Sequence, residues 1–440
     1  MFKKVILTFA ILFLSPMAFA VDIKELNIDF FNRFNDDYLY QYIHEAIENN
    51  HNAKQATLRV EEYRQSVKLQ LANELPTFGV SAGYLGLNIP NINPAVSNIN
   101  KNNFVLPFVA SYEADFLLKN RDKTKSTKKT YEMSKIDEQI AYLALLSDVA
   151  TVYTNILEYD KLLKEQEKIV KNNSQILNDT NKKFARGVIN TTELNNVKNN
   201  VETSKIALEN LKRQRDILLL DFSVLTGRGA NEANNIERGT IDDFEYNNEI
   251  PQEISSDVIF SRPDVKRAET ALEKAKIDII IARKEFLPAF NISGVWAFNT
   301  LASGSFFSWE NSLASLFAGV TQDIFAGGRK VANLKFQKAK YEELFEQYKQ
   351  VDLNAVKEVN ISLCIIKHDT EIENKTKENL ALASKDLINA ERMLNRGVIS
   401  NTQYLNAKNQ YINNDMNFTR AKAQRIVNYY TLYKTVGGKI

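Results

Sequence analysis

Proline sets the frame of this 440-residue chain. Its eight prolines stand at 16, 76, 90, 94, 107, 251, 263 and 288, so 108–250 and 289–440 contain none. Proline breaks helix interiors, and proline-free tracts this long permit very long helices. Glycine narrows the reading. Between Arg121 and Thr226 the one glycine is Gly187, and between Arg329 and Val436 it is Gly397. A lone glycine in about a hundred helix-permissive residues marks the tip of a helical hairpin, where the backbone turns left-handed. The arms are unequal: 121–186 would span about 99 Å and 188–226 about 58 Å at 1.5 Å per residue.

The two tracts belong to an internal repeat. Leu75-Pro76 matches Leu287-Pro288 at an offset of 212, and Asp115 and Arg121 match Asp323 and Arg329 at 208. Arg186-Gly187-Val188-Ile189 recurs as Arg396-Gly397-Val398-Ile399 at 210, as does Thr226-Gly227 in Val436-Gly437. Four ordered landmarks so close to one offset define a duplicated unit over 75–227 and 287–438. A separate helix is expected ahead of each copy, over 37–74 and 262–286.

The helices show coiled-coil spacing. Leu194, Val197, Val201, Ser204, Leu208, Leu211, Arg215, Leu218, Phe222 and Leu225 step alternately by three and four. Tyr142, Leu145, Val149, Val152, Ile156, Tyr159 and Leu163 do the same. This period means supercoiled packing against neighbours, which a plain helical bundle and an extended helical barrel both satisfy. Arg215 and its counterpart Arg425 interrupt the seam, either as partnered structural arginines or as water-facing residues.

Between the helices of each repeat lie two alternating segments. Phe78, Val80, Ala82 and Tyr84 alternate with small or polar residues, and Phe104, Leu106, Phe108, Ala110, Tyr112, Ala114 and Phe116 share the next face. In the second repeat the apolar sets are Phe290, Ile292, Trp296, Phe298 and Ala314, Leu316, Ala318, Val320. Period two reads as strands with one apolar face, and about ten residues cross a bilayer as a tilted strand. The alternative is a soluble four-stranded sheet packed on the helices. Four strands cannot close a barrel, and lipid does not tolerate open edges, so a membrane barrel needs several copies of the chain. The Asn-rich stretch 88–103 and the Ser-containing stretch 300–311 would be its external loops.

Composition excludes other classes. Lys3 and Lys4, the apolar run Val5–Leu14 and Ala18-Phe19-Ala20 have the order of a secretory signal cut before Val21, too short in its apolar run for a membrane anchor. The residue directly after that point is Val21 and not a cysteine, so no lipid is expected there. The remainder is formally neutral, which argues against a nucleic-acid binder. Cys364 is the single cysteine, and His44, His51 and His368 are scattered. No metal, cofactor, nucleophile motif or phosphate loop is indicated, and Gly327-Gly328 lacks the following Lys-Ser/Thr. An enzyme, such as a secreted hydrolase, is therefore not expected. A periplasmic coiled-coil adaptor would lack two symmetric pairs of aromatic strands.

Several motifs resemble the TolC-type outer-membrane efflux proteins, the outer-membrane factors. Ser261-Arg262-Pro263-Asp264-Val265 with Ala268-Glu269 resembles the RPDV signature of their drug-efflux branch. Ile324–Arg329 resembles the exit from the last strand, Leu432–Gly438 the family's C-terminal end, and Arg396-Gly397-Val398 its hairpin tip. Asp323 and Ala326 depart from the usual Pro and Asp. The resemblance implies a mixed α/β membrane protein: four strands per chain in a trimeric 12-stranded β-barrel, continued by a long α-helical coiled-coil barrel. The segments would be a signal peptide (1–20), an N-terminal segment and first helix (21–74), and the first outer-membrane strand pair (75–120). A periplasmic helical hairpin (121–227), an irregular equatorial insert (228–261) and a helix (262–287) would follow. The second strand pair (288–328) and second hairpin with the C-terminus (329–440) would complete it.

The resemblance also implies a homotrimer in outer-membrane lipid, with the helical barrel in the periplasm. It would be a passive duct joined to a periplasmic membrane-fusion adaptor and an inner-membrane pump. The RPDV stretch favours a pump of the resistance-nodulation-division type, with type I protein secretion as the alternative. Arg186, Gly187, Val188, Arg396, Gly397 and Val398 occupy the tips that meet the adaptor in the family. The same residues also serve plain turn chemistry. Past the tips the family narrows its tunnel, commonly with an aspartate; Asn406 stands at that place here. Thr402 and Asn409 align with its neighbours, and Asn196 and Asn199 with the first-repeat counterparts. An amide band attracts cations less than an acidic ring does.

Overall fold

The computed structural model describes residues 26–89, 99–232, 235–251, 253–299 and 306–439. The signal peptide expected over 1–20, with its cleavage point, lies outside these residues, as do 90–98 and 300–305 of the two expected loops. In chain order the elements are α1 (Asp37–Asn49), α2 (His51–Ala72), β1 (Thr77–Val80), β2 (Gly83–Ile89), β3 (Ile99–Ala114), α3 (Lys119–Ala185) and α4 (Thr191–Leu225). Then come α5 (Ser256–Phe260), α6 (Pro263–Lys284), β4 (Ala289–Asn299), β5 (Ser312–Thr321), α7 (Arg329–Asn395) and α8 (Asn401–Thr435). They form two compact units, one from Arg59–Ser134 and Lys266–Val351, the other from Met1–Leu58, Lys135–Val265 and Asp352–Ile440.

The repeat holds in three dimensions. Helices α3 and α7 have 67 residues each, and α4 and α8 have 35 each. Their boundaries keep an offset of 210, so Arg329 takes the place of Lys119, not that of Arg121 as the motif pairing suggested. Just ahead of the long helices, Leu118 adopts a left-handed φ of 56° where the second repeat has Gly328 at 78°.

Two expected continuous elements are broken. The helix expected over 37–74 is α1 and α2, because Asn50 turns extended between them. Its Oδ1 accepts from the backbone N–H of Asn52 and Ala53 (2.9 and 3.0 Å), capping α2, while its Nδ2 donates to the Leu225 carbonyl at 2.9 Å. The first expected strand is β1 and β2, which pair with β3 in one register, Val80 opposite Phe108 and Gly83 opposite Val105. Between them the Ser81 N–H donates to the Pro107 carbonyl (3.1 Å), but Pro107 has no N–H to return. The insert, read as irregular, contains the short helix α5.

In the sheet-bearing unit the order is β1–β3–β4–β5, all antiparallel, with β2 beside β3. Pairing puts Phe78, Val80, Phe108, Tyr112, Ile292, Trp296, Leu316 and Val320 on one face. This face is open: Phe78 is 81% exposed and Leu316 80%. The other face carries Thr77, Ser111, Asn291, Ser293 and Thr321, with Val109, Val295, Leu313 and Phe317 among them. Asp115 anchors the sheet's exit by capping α3, its oxygens accepting from the N–H of Lys119 (2.7 Å) and Arg121 (2.9 Å). Ser126–Asp278, Lys129–Glu273 and Lys284–Asp122 bonds of 2.6–2.8 Å then tie α3 to α6.

The other unit has an aromatic core. A 3-10 turn over Ile28–Arg33 buries Phe30 and Phe31 against Tyr430 and Tyr433 of α8, with Phe30 stacked on Tyr433 at 4.7 Å. Asp36 caps α1 through Tyr38 and Leu39 N–H, and its second oxygen accepts from the Tyr153 hydroxyl on α3 (2.8 Å). Tyr142, Leu145, Val149, Ile156 and Leu163 are buried along α3, and Leu194, Val201, Ser204 and Phe222 along α4. Both seam arginines are partnered: Arg215 reaches Asp216 (3.0 Å), and Arg425 pairs with Glu373 and donates to the Tyr429 hydroxyl. Among the described helices α3 alone is long and apolar enough to cross a membrane, but most of that stretch is buried in the protein, as a core helix requires.

Candidate functional site: hairpin tips and amide bands

The two hairpin tips are built alike. At the end of α3 the Gly187 N–H donates to Phe184 (2.8 Å) and the Val188 N–H to Lys183 (3.0 Å). At the end of α7, Gly397 donates to Leu394 and Val398 to Met393, both at 2.9 Å. This pair of hydrogen bonds closes a helix through one left-handed residue. Gly187 and Gly397 have φ of +71° and +72°, and no atom lies within 4 Å of where a Cβ would stand. Backbone angle, not lack of space, therefore calls for glycine. Asn190 then caps α4, and Ser400 caps α8 in a reciprocal pair with Gln403. What projects from each tip is an exposed arginine, Arg186 or Arg396, and an exposed valine, Val188 (69%) or Val398 (64%).

The amide positions near the tips fall into two groups. Asn196 and Asn199 on α4 and Asn406 on α8 are exposed, and Thr402 is half-buried. Asn409 is engaged within the chain: its Oδ1 accepts from Asn172 and its Nδ2 donates to Asn173, both at 2.8 Å. Nearer the tip Asn401 donates to Asp179 at 2.8 Å, a bond that holds the Asp179 carboxyl below its ordinary range. These bonds pin the start of α8 to α3. Sequence reasoning named Asn409 but missed Asn172, Asn173, Asp179 and Asn401. The adjacent amides at 172–173 were the local signal.

Further along the same unit, ionic contacts fasten the insert to the helices. Lys161 reaches Asp242 (2.5 Å) and Asp415 (3.3 Å), Lys422 donates to the Asp242 carbonyl (2.8 Å), and Arg238 pairs with Asp160 (2.5 Å). Burial pushes Glu158 up to about 7, with Arg420 pulling the other way. Arg262, buried at the start of α6, donates to Asp264, Glu358 and the Ala355 carbonyl, and Pro263 begins the helix without needing its N–H. The site thus offers exposed turns, amides and fixed charges.

Comparison with known proteins bears on this arrangement. The chain matches the family model described as outer membrane efflux protein over residues 42–228 and 254–438, one segment per repeat. It is 24% identical over 410 residues to the probable efflux pump outer membrane protein TtgC of Pseudomonas putida, covering 92% of this chain and 84% of that one. To the cation efflux system protein CusC of Escherichia coli it is 23% identical over 406 residues, covering 92% and 87%. The crystal structure of the Campylobacter jejuni CmeC outer membrane channel superposes with a TM-score of 0.83 at 21% identity, covering 92% of this chain and 86% of that one.

Proposed function

The chain belongs to the outer membrane efflux protein family, whose members are outer-membrane efflux channels, and from that premise we propose that it is the passive outer-membrane duct of a tripartite efflux system. The sheet carries this reading. It has one continuous apolar face and two edges, β1–β2 and β5, with no partner in the described chain. An apolar face suits lipid, and lipid demands that edges close. Three copies would join edge to edge into a 12-stranded barrel, with the helical hairpins continuing the lumen into the periplasm.

The hairpin tips, Arg186-Gly187-Val188 and Arg396-Gly397-Val398, would dock a periplasmic adaptor, and an inner-membrane pump would supply the energy. Asn196, Asn199, Thr402, Asn406 and Asn409 would surround the narrow end. Amides there offer dipoles rather than charge, so the pore would prefer cations only weakly. The protein acts by conduction, not catalysis. Outer-membrane extracts should yield heat-resistant trimer bands, and the purified protein should form pores in planar bilayers. A monomer that conducts nothing would overturn the reading.

A further inference from the structure

In the sheet-bearing unit, a cleft of about 690 Å³ opens where the apolar face meets the helices. Its sheet side is formed by Tyr112, Phe116 and Ile292, and its helix side by Arg121, Lys125 and Lys128. Only the central strands β3 and β4 line it, so pairing at the edges would leave it open. The three basic side chains are exposed. Lys125 shares Asp122 with Lys284, while the Arg121 guanidinium and the Lys128 ammonium have no side-chain partner among the described residues.

The acids of the cleft are accounted for differently. Asp115 is consumed in capping α3. Glu74 keeps one buried oxygen without a hydrogen-bond donor. Charge across the unit leans the same way: Arg59–Ser134 and Lys266–Val351 hold 22 Lys and Arg against 16 Asp and Glu, in a protein that is otherwise acidic after residue 20. An apolar wall that ends in a basic shelf has the polarity of a phospholipid, acyl chain above and phosphate below.

We infer that this cleft seats the headgroup of an anionic phospholipid of the leaflet on the helix side of the membrane. Its phosphate lies at Arg121, Lys125 and Lys128, and a headgroup hydroxyl donates to Glu74. The inference rests on the barrel reading above, since it takes the apolar face to be in lipid.

The test uses the full chain with Trp309→Phe, which leaves Trp296 on the apolar face as the one tryptophan, excited selectively over the tyrosines. It is reconstituted in vesicles that mix phosphatidylcholine and phosphatidylglycerol, with one or the other brominated on its acyl chains. Quenching of Trp296 should favour brominated phosphatidylglycerol, and each neutralised basic residue should cut that preference roughly fivefold. Arg121→Ala, Lys125→Ala and Lys128→Ala together should abolish it, while Lys335→Ala, Lys338→Ala and Lys340→Ala on α7 should leave it intact. If the first triple variant does not assemble, Arg121→Gln alone must show the reduction. Preference retained without the three cations, or lost equally in the α7 control, overturns the inference. Quenching by neither brominated lipid would instead contradict the barrel reading itself.

Discussion

Burial sets the protonation of Glu158 on α3. Its carboxyl ordinarily titrates at 4.5 and is pushed up to about 7 in the folded protein. The folded chain thus holds a proton that the unfolded chain releases, and stability falls as pH rises from about 4.5 through 7. Glu158→Gln should remove this slope. Its melting temperature should match the parent at pH 4.5 and exceed it above pH 7, by the equivalent of about 3 kcal/mol. Parallel pH profiles for the two proteins would show that Glu158 is not the titrating group. The amides are a contrasting case at this scale. Asn50 and Asn409 each use both ends of one carboxamide, and each joins segments far apart in sequence.

At the scale of elements, the tips and the amide pins make separate predictions. A valine at Gly187 or Gly397 meets no neighbour but must take a left-handed backbone, at a cost of about 1–2 kcal/mol per site. Heat-resistant trimers should persist while dye export falls. Loss of trimers would make the tips chiefly structural, and normal export would detach them from docking. Asn409→Ala removes both bonds to Asn172 and Asn173 and frees α8 from α3 at that level. Single-channel conductance in planar bilayers should rise. An unchanged conductance would mean that these bonds do not hold the narrow end.

What sequence alone could read follows from the range of the interactions. The long helices were legible because one glycine in each tract leaves few other places to turn, and the sheet because its alternation is local. The interruptions were not. The break between β1 and β2 is caused by Pro107 on another strand, and the break at Asn50 is stabilised by the carbonyl of Leu225. The amide pins join residues more than two hundred positions apart.

For the whole molecule, the repeat explains economy of design. Two copies of a strand pair and hairpin give the described chain four strand positions, the first of them split into β1 and β2, and four long helical arms. The Phe30 and Phe31 cluster then joins the start of the described chain to α8 near its end, a contact no local pattern announces. A sheet with an apolar face and two open edges is not stable alone in lipid, so the account stands or falls on closure between copies. The most direct measurement is disulfide trapping in a Cys364→Ser background, with single cysteines placed along β1 and β5 in pairs. Closure between copies predicts a covalent trimer on non-reducing gels for the pairs in register. Cross-links confined to the monomer, at every pair tried, would contradict it.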